Sequence, residues 1–214
     1  MSGHLISIEG PDGAGKSTLS RILTEELTKD GHDVVLTKQP GGSPRCLEIR
    51  QLLLNRTADE GFCDLTQIAL FYADRFQHLY DVVLPALQAG KVVISDRSEL
   101  STYAYQIHAP EKYELVEYFL GQHALVRQML NEYPCRTLVC ELSIEEADRR
   151  LKKRAADHGE TNFFDTLPVT FKQRVHEGMR EGRQHLMPAY EFADVNVERE
   201  PHDIVAEMRY VTGL

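Results

Sequence analysis

Five short apolar runs, rich in β-branched residues, are spaced along the chain and predict five β-strands. They cover residues 4–9, 32–38, 91–96, 136–142 and 193–198. Longer segments with apolar residues at helical spacing separate them. Strands that alternate with helices in this way predict βαβ units, and therefore an α/β fold with a five-stranded parallel sheet covered by helices on both faces.

The helical segments are predicted from the same pattern. In the first of them, Leu19, Leu23 and Leu27 recur at helical spacing, and Asp30-Gly31 marks its end. The third is expected to bend before Pro85. The predicted helices cover residues 17–29, 44–54, 64–89, 111–132, 144–156, 168–192 and 201–210.

The 214 residues suffice for one sizeable core, so the chain is predicted to form a single domain over residues 1–214. No apolar run is long enough to span a bilayer, and a signal peptide pattern is absent. The four cysteines lack the spacing of a zinc site or a disulfide scaffold. These features predict a soluble, cytoplasmic protein that does not act at a membrane.

The formal net charge is −9, which argues against a general nucleic-acid binder, because such proteins carry an excess of Lys and Arg. A small anionic ligand could still be held by a local cluster of arginines.

A glycine-rich turn follows the first predicted strand. Gly10-x-x-x-x-Gly15-Lys16-Ser17 matches the P-loop pattern, with a strand before it and a helix after it. The glycines allow consecutive N–H groups to converge on one anion, Lys16 adds a charge for the β- and γ-phosphates, and Ser17 offers a hydroxyl to Mg²⁺. The predicted phosphate-binding residues are Gly10, Asp12, Gly13, Ala14, Gly15, Lys16, Ser17 and Thr18.

The third predicted strand ends in Asp96-Arg97. P-loop proteins place a carboxylate that orients Mg²⁺ at this position, and the next guanidinium can point into the same crevice. A surface ion pair at a strand end is the alternative, but the P-loop favours the functional interpretation. No Asn-Lys-x-Asp segment for reading guanine is present, and the chain is small for a motor ATPase. Small-molecule kinases are the leading class.

Several motifs together resemble one family. They are "IEGPDGAGKST", the Pro-Gly-Gly after the second strand, "IRQLLL", Phe-Tyr-Ala-Asp-Arg and "DRSELSTYAYQ". Their order and spacing resemble the thymidylate kinases, P-loop enzymes that phosphorylate dTMP to dTDP for dTTP synthesis. The resemblance implies a P-loop NTPase fold, ATP and Mg²⁺ as cofactors, and a homodimer formed through the long helices.

The resemblance implies a role for each matching side chain at the base. Phe71 would stack on the pyrimidine, Arg75 would donate to its O4 edge, and Thr102 and Gln106 would line the pocket. A guanidinium offers only donors, so it suits thymine or uracil and opposes the 4-amino group of cytosine.

At the sugar and the phosphate, the resemblance implies four further contacts. Asp12 would accept a hydrogen bond from the 3′-OH, and Tyr105 would occupy the space of a ribose 2′-OH. Arg50 and Arg97 would clamp the monophosphate. Because that phosphate is already ionised, the transfer needs no general base, only positioning and charge stabilisation.

Residues 149–167 are predicted to form a mobile lid. The P-loop has no basic residue between Gly10 and Gly15, and family members of this kind take basic residues from the lid. Arg150 and Arg154 are four residues apart on one helix face, so we hypothesise that both reach the transferring phosphate. A solvated basic helix face is the alternative.

Three positions depart from the family pattern. Lys38-Gln39 replaces Arg-Glu, which removes a carboxylate that could help to organise Mg²⁺, Ser98 replaces an aromatic residue or His, and "TNFFD" replaces Asp-Arg-x-Glu, leaving Asp165. Two enzyme alternatives therefore stay open: a kinase for another, possibly modified, deoxypyrimidine monophosphate, and a deoxynucleoside kinase with Asp96 as base. A nucleotide-binding module without catalysis is the alternative from a different class.

Overall fold

The computed structural model describes residues 3–54, 61–158, 167–187 and 190–214. Its five strands are β1 (His4–Glu9), β2 (Val34–Lys38), β3 (Val92–Asp96), β4 (Cys135–Glu141) and β5 (Glu191–Asn196). They form one parallel sheet in the order β2-β3-β1-β4-β5. The predicted fold class and strand count are confirmed.

Helices connect the strands. In the described residues they are α1 (Lys16–Lys29), α2 (Pro44–Leu54), α3 (Asp64–His78), α4 (Leu84–Gln88), α5 (Glu99–Tyr103), α6 (Val116–Leu130), α7 (Ile144–His158), α8 (Val169–Leu186) and α9 (Pro201–Thr212). None of these described helices has the length and apolar character needed to cross a bilayer.

Two predicted helix boundaries were wrong. The helix predicted over 168–192 ends at Leu186, because β5 begins at Glu191, two residues before the predicted strand. The helix predicted to start at 111 begins at Val116 after a 3₁₀ turn, Tyr113–Leu115. The predicted lid includes residues 159–166, and Asp165 with them, which lie outside the described residues.

Two long helical segments contain π-helical turns. Leu79–Val83 joins α3 to α4 just ahead of Pro85, where the sequence predicts a bend. Ala104–His108 extends α5, and this second segment was not predicted as a helix. It is buried on nearly every side, so it lacks the polar face that reveals an amphipathic helix in a sequence. π-helical turns are frequent at functional sites.

The sheet separates two hydrophobic clusters. Because successive side chains of a strand point to opposite faces, Leu5 and Val93 pack against α3, α5, α6 and α8, while Ile6 and Ile94 pack against α1 and α9. The helices therefore cover both faces and leave the carboxyl ends of β1 and β3 free to carry the loops of a ligand site.

Helix α8 packs very closely on the segment formed by α5 and its π-helical turn. A Cβ atom added at Gly178 would lie 2.9 Å from the Ala104 Cα and 2.8 Å from the His108 Cβ. At Gly182 it would lie 2.6 Å from a ring carbon of Tyr103. The absence of side chains at these two glycines permits the contact.

A Gly178→Ala variant is expected to lower the free energy of unfolding by about 1–3 kcal/mol through overpacking. This cost outweighs the gain in helix propensity of about 1 kcal/mol. Urea denaturation measures the change. Gly121→Ala is the matched control, because this glycine of α6 is exposed and has no atom within 4 Å of an added Cβ. The control is expected to be as stable as the wild type or more so, and equal stabilities for both variants would contradict the prediction.

Candidate active site

The loop between β1 and α1 has the geometry of an anion cradle. Gly10, Gly13 and Gly15 have φ values of 143°, 87° and 79°, which residues with a Cβ rarely adopt. A Cβ at Gly13 would also lie 2.6 Å from the carbonyl oxygen of Ala147, at the start of α7. Lys16 is buried, and its Nζ donates to the Pro11 carbonyl oxygen at 2.7 Å. Burial, and then the charge of Arg97, lower the pKa of Lys16.

A cavity of about 480 Å³ lies beside this loop at the carboxyl ends of the strands. Of the predicted phosphate-binding residues, all but Gly10 and Ala14 line it. Its acidic lining residues are Asp12, Asp74 and Asp96. Its basic lining residues are more numerous: Lys16, Lys38, Arg50, Arg75, Arg97, Arg150 and Arg154. An acidic chain thus carries one locally cationic cavity, as an anionic ligand requires.

The two predicted metal ligands are in contact on the lining of the cavity. Strand β3 lies beside β1 with Asp96 paired to Ile8, and the Ser17 hydroxyl donates to Asp96 Oδ2 at 2.5 Å. Within the described residues no cluster of three or more His, Cys, Asp or Glu side chains is found. One hydroxyl and one carboxylate fit Mg²⁺, which prefers oxygen ligands and commonly completes its shell with water and substrate phosphates.

Arg97 extends across the opening of the phosphate loop. Its Nη2 is ion-paired with Asp12, and its Nη1 donates to Ser101 Oγ at 2.8 Å and to the Gly10 carbonyl oxygen at 3.2 Å. Burial opposes the charge, but Asp12 and other acidic groups outweigh burial and raise the pKa of Arg97 above its usual value. Its backbone φ is 74°, a left-handed conformation that is uncommon for a residue with a long side chain.

Asp12 and Tyr105 are linked by their side chains. The Tyr105 hydroxyl donates to Asp12 Oδ2 at 2.8 Å, and the Asp12 N–H donates to the Tyr105 oxygen at 3.2 Å. Burial would raise the pKa of Asp12, but the charges of Arg97 and Lys16 lower it overall. Burial and the Asp12 carboxylate raise the pKa of Tyr105. The pair is therefore a carboxylate held by a neutral phenol.

The end of the cavity away from the loop contains the predicted base-binding residues. Arg75 is 2% exposed, and it donates from Nε to Gln39 Oε1 at 2.9 Å and from Nη2 to Thr102 Oγ1 at 3.1 Å. Its Nη1 is buried and has no hydrogen-bond partner among the described residues. Phe71 and Gln106 line the same cavity. Gln39, which stands where the family pattern has Glu, therefore gives Arg75 a neutral hydrogen-bond partner.

Arg50 and Asp74 lie on the wall between the two ends. Arg50 Nη1 donates to the Pro40 carbonyl oxygen at 2.6 Å, and burial and the charge of Arg97 lower the pKa of Arg50. Asp74 Oδ1 accepts a hydrogen bond from the Gly41 N–H at 2.8 Å. Burial raises the pKa of Asp74 from 3.8 to about 6, despite this hydrogen bond and the charge of Arg75.

The raised pKa of Asp74 predicts a pH dependence of folding stability. Because the folded pKa exceeds the unfolded one, the stabilisation is complete below pH 3.8 and is lost as the pH rises through about 6. An Asp74→Asn variant keeps an acceptor for Gly41 but does not titrate. Relative to the wild type, it is expected to gain on the order of 2 kcal/mol of unfolding free energy between about pH 4.5 and pH 7.5. Urea denaturation across this range measures the difference, and a difference that does not vary with pH would contradict the prediction.

The two arginines that the sequence assigns to a lid, Arg150 and Arg154, lie on α7 beside the phosphate loop. Arg150 and Arg154 both line the cavity, and the charge of Arg154 contributes to lowering the pKa of Asp12. Arg150 donates from Nε to Glu146 Oε1 at 2.6 Å and from Nη2 to the Val197 carbonyl oxygen at 2.9 Å. Hydrogen bonds from Arg149 and Arg150 lower the pKa of the partly buried Glu146 carboxyl to about 2.

Sequence reasoning missed Glu9, Ser101 and the structural importance of Asp74. Glu9 has no exposed surface and binds the start of α5, and Ser101 binds both Glu9 and Arg97. The one signal was the carboxylate of Glu9 at the end of a predicted strand that has no other Asp, Glu, Lys or Arg. Its partners lie about 90 residues away in the chain, so no local pattern could reveal them.

Comparisons with known proteins find one family. A family model described as thymidylate kinase matches residues 8–207. A thymidylate kinase of Ruegeria pomeroyi is 36% identical over 209 residues, which cover 97% of this chain and 93% of that protein. One from Pseudomonas putida is 37% identical over 212 residues, covering 96% and 95%. One from Exiguobacterium sibiricum is 36% identical over 180 residues, covering 83% and 80%.

Proposed function

Because the chain belongs to the thymidylate kinase family, we propose that it transfers the γ-phosphoryl group of ATP to dTMP, giving ADP and dTDP. The observation that carries the assignment of the acceptor is the buried Nη1 of Arg75, a donor that lacks a partner among the described residues at the end of a cationic cavity. A buried donor of this kind is costly unless a ligand satisfies it.

In this proposal Arg75 reads the base. Its Nη1 donates to the O4 of thymine, while Gln39 and Thr102 hold the other two nitrogens of the guanidinium. Cytosine would present an amino donor to Arg75 and would leave Nη1 unsatisfied. Phe71 stacks on the ring, which adds affinity with little selectivity, and Gln106 completes the pocket.

The sugar and the phosphate of dTMP bind nearer to the phosphate loop. Asp12 accepts the 3′-OH, and Tyr105, held on Asp12, occupies the space that a ribose 2′-OH would need. Arg50 and Arg97 contact the monophosphate from two sides of the cavity. The hydrogen bonds of Arg97 to Gly10, Ser101 and Asp12 use three of its five N–H groups, and we propose that the phosphate accepts from a remaining one.

Lys16 and the N–H groups of the phosphate loop bind the β- and γ-phosphates of ATP. Ser17 and Asp96 would hold Mg²⁺, which supplies charge neutralisation on the transferring phosphoryl group. An oxygen of the dTMP phosphate attacks the γ-phosphorus, and the bond to the bridging oxygen of ADP breaks. No side chain has to remove a proton, because the attacking oxygen is ionised.

The adenine of ATP is proposed to lie beside Arg183. A second cavity of about 470 Å³ extends from Pro11 along the carboxyl ends of β4 and β5, where Arg183 and Asn196 line it. It adjoins the phosphate loop, so a nucleotide whose phosphates lie in the loop can reach it.

Arg150 and Arg154 are proposed to contact the transferring phosphate as part of a lid over residues 149–167 of a single domain. Changing both to alanine is expected to lower kcat by at least about tenfold, because each cation stabilises charge that develops in transfer. The matched control changes Arg149 and Lys152 of the same helix, which are highly exposed and do not line the cavity. Wild-type turnover in the Arg150→Ala, Arg154→Ala variant would contradict the hypothesis.

A homodimer through the long helices is also proposed. Leu65 of α3 and Tyr80 of the adjoining π-helical turn are about half exposed or more, and α2, which packs beside α3, exposes Leu47 and Leu52. Burial of these side chains against a second copy would stabilise the assembly. Sedimentation of the wild type and of a Leu65→Glu variant tests the proposal. A monomeric wild type would contradict it.

The cysteines support a reducing compartment. Cys46, Cys63, Cys135 and Cys140 are all unpaired, and three of them are buried. Unpaired thiols of this kind fit the cytoplasm.

The decisive assay measures ADP formation from ATP and Mg²⁺ with dTMP, dUMP, 5-hydroxymethyl-dUMP, dCMP, UMP and thymidine. Preference for dTMP is expected. Preference for another deoxypyrimidine monophosphate would change the proposed substrate but leave the proposed mechanism as it is. Activity with thymidine alone would indicate a deoxynucleoside kinase in which Asp96 acts as the general base. If none of the acceptors increased ADP formation, a nucleotide-binding module without catalysis would be favoured.

A further inference from the structure

We propose that Glu9 is a positioning residue for the phosphoryl acceptor, and that it holds Arg97 over the acceptor phosphate through Ser101. The inference rests on the proposed function, because it takes Arg97 as a ligand of the dTMP phosphate. Glu9 itself does not line the cavity, so its proposed effect on the acceptor is indirect.

Glu9 ends β1 and accepts three hydrogen bonds from one short segment. Its Oε1 accepts from the N–H groups of Ser98 at 2.8 Å and Ser101 at 3.0 Å, and its Oε2 accepts from Ser101 Oγ at 2.5 Å. The side chain has no exposed surface. A carboxylate at this depth is stable only because these donors, and the positive end of the helical segment that starts at Glu99, compensate its charge.

Ser101 connects this carboxylate to Arg97. A serine hydroxyl has one proton, and here it points to Glu9. The oxygen is then oriented to accept from Arg97 Nη1 at 2.8 Å. The hydrogen bonds run in one direction, from Arg97 to Ser101 to Glu9. An amide in place of the carboxylate would present an NH₂ group to Ser101, so the hydroxyl proton would lose its acceptor.

The backbone around Arg97 points to the same role. Its left-handed φ of 74° is held by three contacts: its N–H donates to Ile8, its carbonyl accepts from Ser95 Oγ, and Glu9 binds the next N–H, at Ser98. Glu9 therefore fixes both the backbone that follows the strained residue and the end of its guanidinium. Strained residues persist only when their surroundings over-determine them.

Measurements of ligand affinity distinguish a positioning role of Glu9 from a role in folding alone. The dissociation constants of dTMP and thymidine are measured by calorimetry for the wild type, Glu9→Gln and Ser101→Ala. The two ligands differ only in the phosphate, so displacement of Arg97 is expected to weaken dTMP about tenfold in both variants. Thymidine affinity is expected to stay within about twofold, because thymidine has no phosphate for Arg97 to bind, and Asp12, which binds the sugar, keeps its hydrogen bond from Tyr105. Ser101→Ala keeps the backbone contacts of Glu9, so it remains informative if Glu9→Gln does not fold.

Glu99→Gln is the matched control. Glu99 is also fully buried on the same segment, but its partners, Tyr72, His123 and Tyr190, do not line the cavity. This variant is expected to lose stability while the ratio of the two dissociation constants stays at the wild-type value.

The double variant Glu9→Gln, Ser101→Ala is expected to bind dTMP no more weakly than either single variant, since both act through one chain of hydrogen bonds. The positioning role would be overturned if the Glu9→Gln and Ser101→Ala variants lost affinity equally for dTMP and thymidine, or lost no affinity for dTMP. A wild type that does not prefer dTMP to thymidine would instead overturn the proposed function before any variant is compared.

Discussion

A Lys16→Met variant is expected to phosphorylate dTMP about 10²–10³ times more slowly than the wild-type enzyme. Lys16 is buried and lines the cavity, and its ammonium group donates to the Pro11 carbonyl oxygen of the phosphate loop. A buried cation that is already held in place stabilises the charge of the transferring group far more than a cation in water would. Methionine keeps most of the aliphatic length of lysine, so the loop is expected to retain its packing.

The measurement is kcat at saturating ATP and dTMP, accompanied by the unfolding midpoint of the variant. Lys91→Met is the matched control, because Lys91 pairs with Asp33 at the opposite end of the sheet. It is expected to leave kcat unchanged. A Lys16→Met enzyme within about threefold of wild-type kcat would contradict the role that we propose for Lys16.

An Arg75→Met variant is expected to lower kcat/KM for dTMP by about 10–200-fold, mainly through KM. Arg75 is buried, and its Nη1 is the donor proposed to bind the O4 of thymine. Without it, the carbonyl at O4 is buried without a partner, at a cost of about 1–3 kcal/mol. Gln39 and Thr102 also lose a partner, which disorganises the same end of the pocket.

Two internal comparisons test this explanation. The KM for ATP is expected to stay at the wild-type value, since Arg75 lies at the other end of the cavity from the phosphate loop. The preference for dTMP over dCMP is expected to shrink, because the variant no longer presents a donor that opposes the amino group of cytosine. Unchanged selectivity together with a general loss of activity would indicate a structural role and contradict the base-reading role.

The sheet and the phosphate loop could be predicted because their signals are local. Each strand is a short apolar run bounded by turns, and Gly10, Gly15, Lys16 and Ser17 stand within eight consecutive residues. The position of Asp96 next to the loop followed from the parallel topology, since the carboxyl ends of adjacent strands meet at one edge.

Other parts of the site could not be predicted, because they depend on contacts between distant segments. The helical segment 99–108 is buried nearly all round and shows no amphipathic period. The left-handed backbone of Arg97 is unusual for arginine, and it is maintained by Ile8, Ser95 and Glu9 rather than by local preference. The effect of glutamine at position 39 depends on Arg75, 36 residues later.

Gly13 lies so close to the backbone of Ala147 that the positions of the phosphate loop and of α7 depend on each other. Any side chain at position 13 would displace the first turn of α7, since an added Cβ would lie only 2.6 Å from a backbone oxygen. Arg150 and Arg154 follow three and seven residues after Ala147, so the displacement would tilt both guanidinium groups relative to the loop. The size of the residue at position 13 therefore determines the distance between the phosphate loop and the two arginines of α7 that line the cavity. A phosphate loop transplanted from a relative with a bulky residue there would need a compensating change in α7.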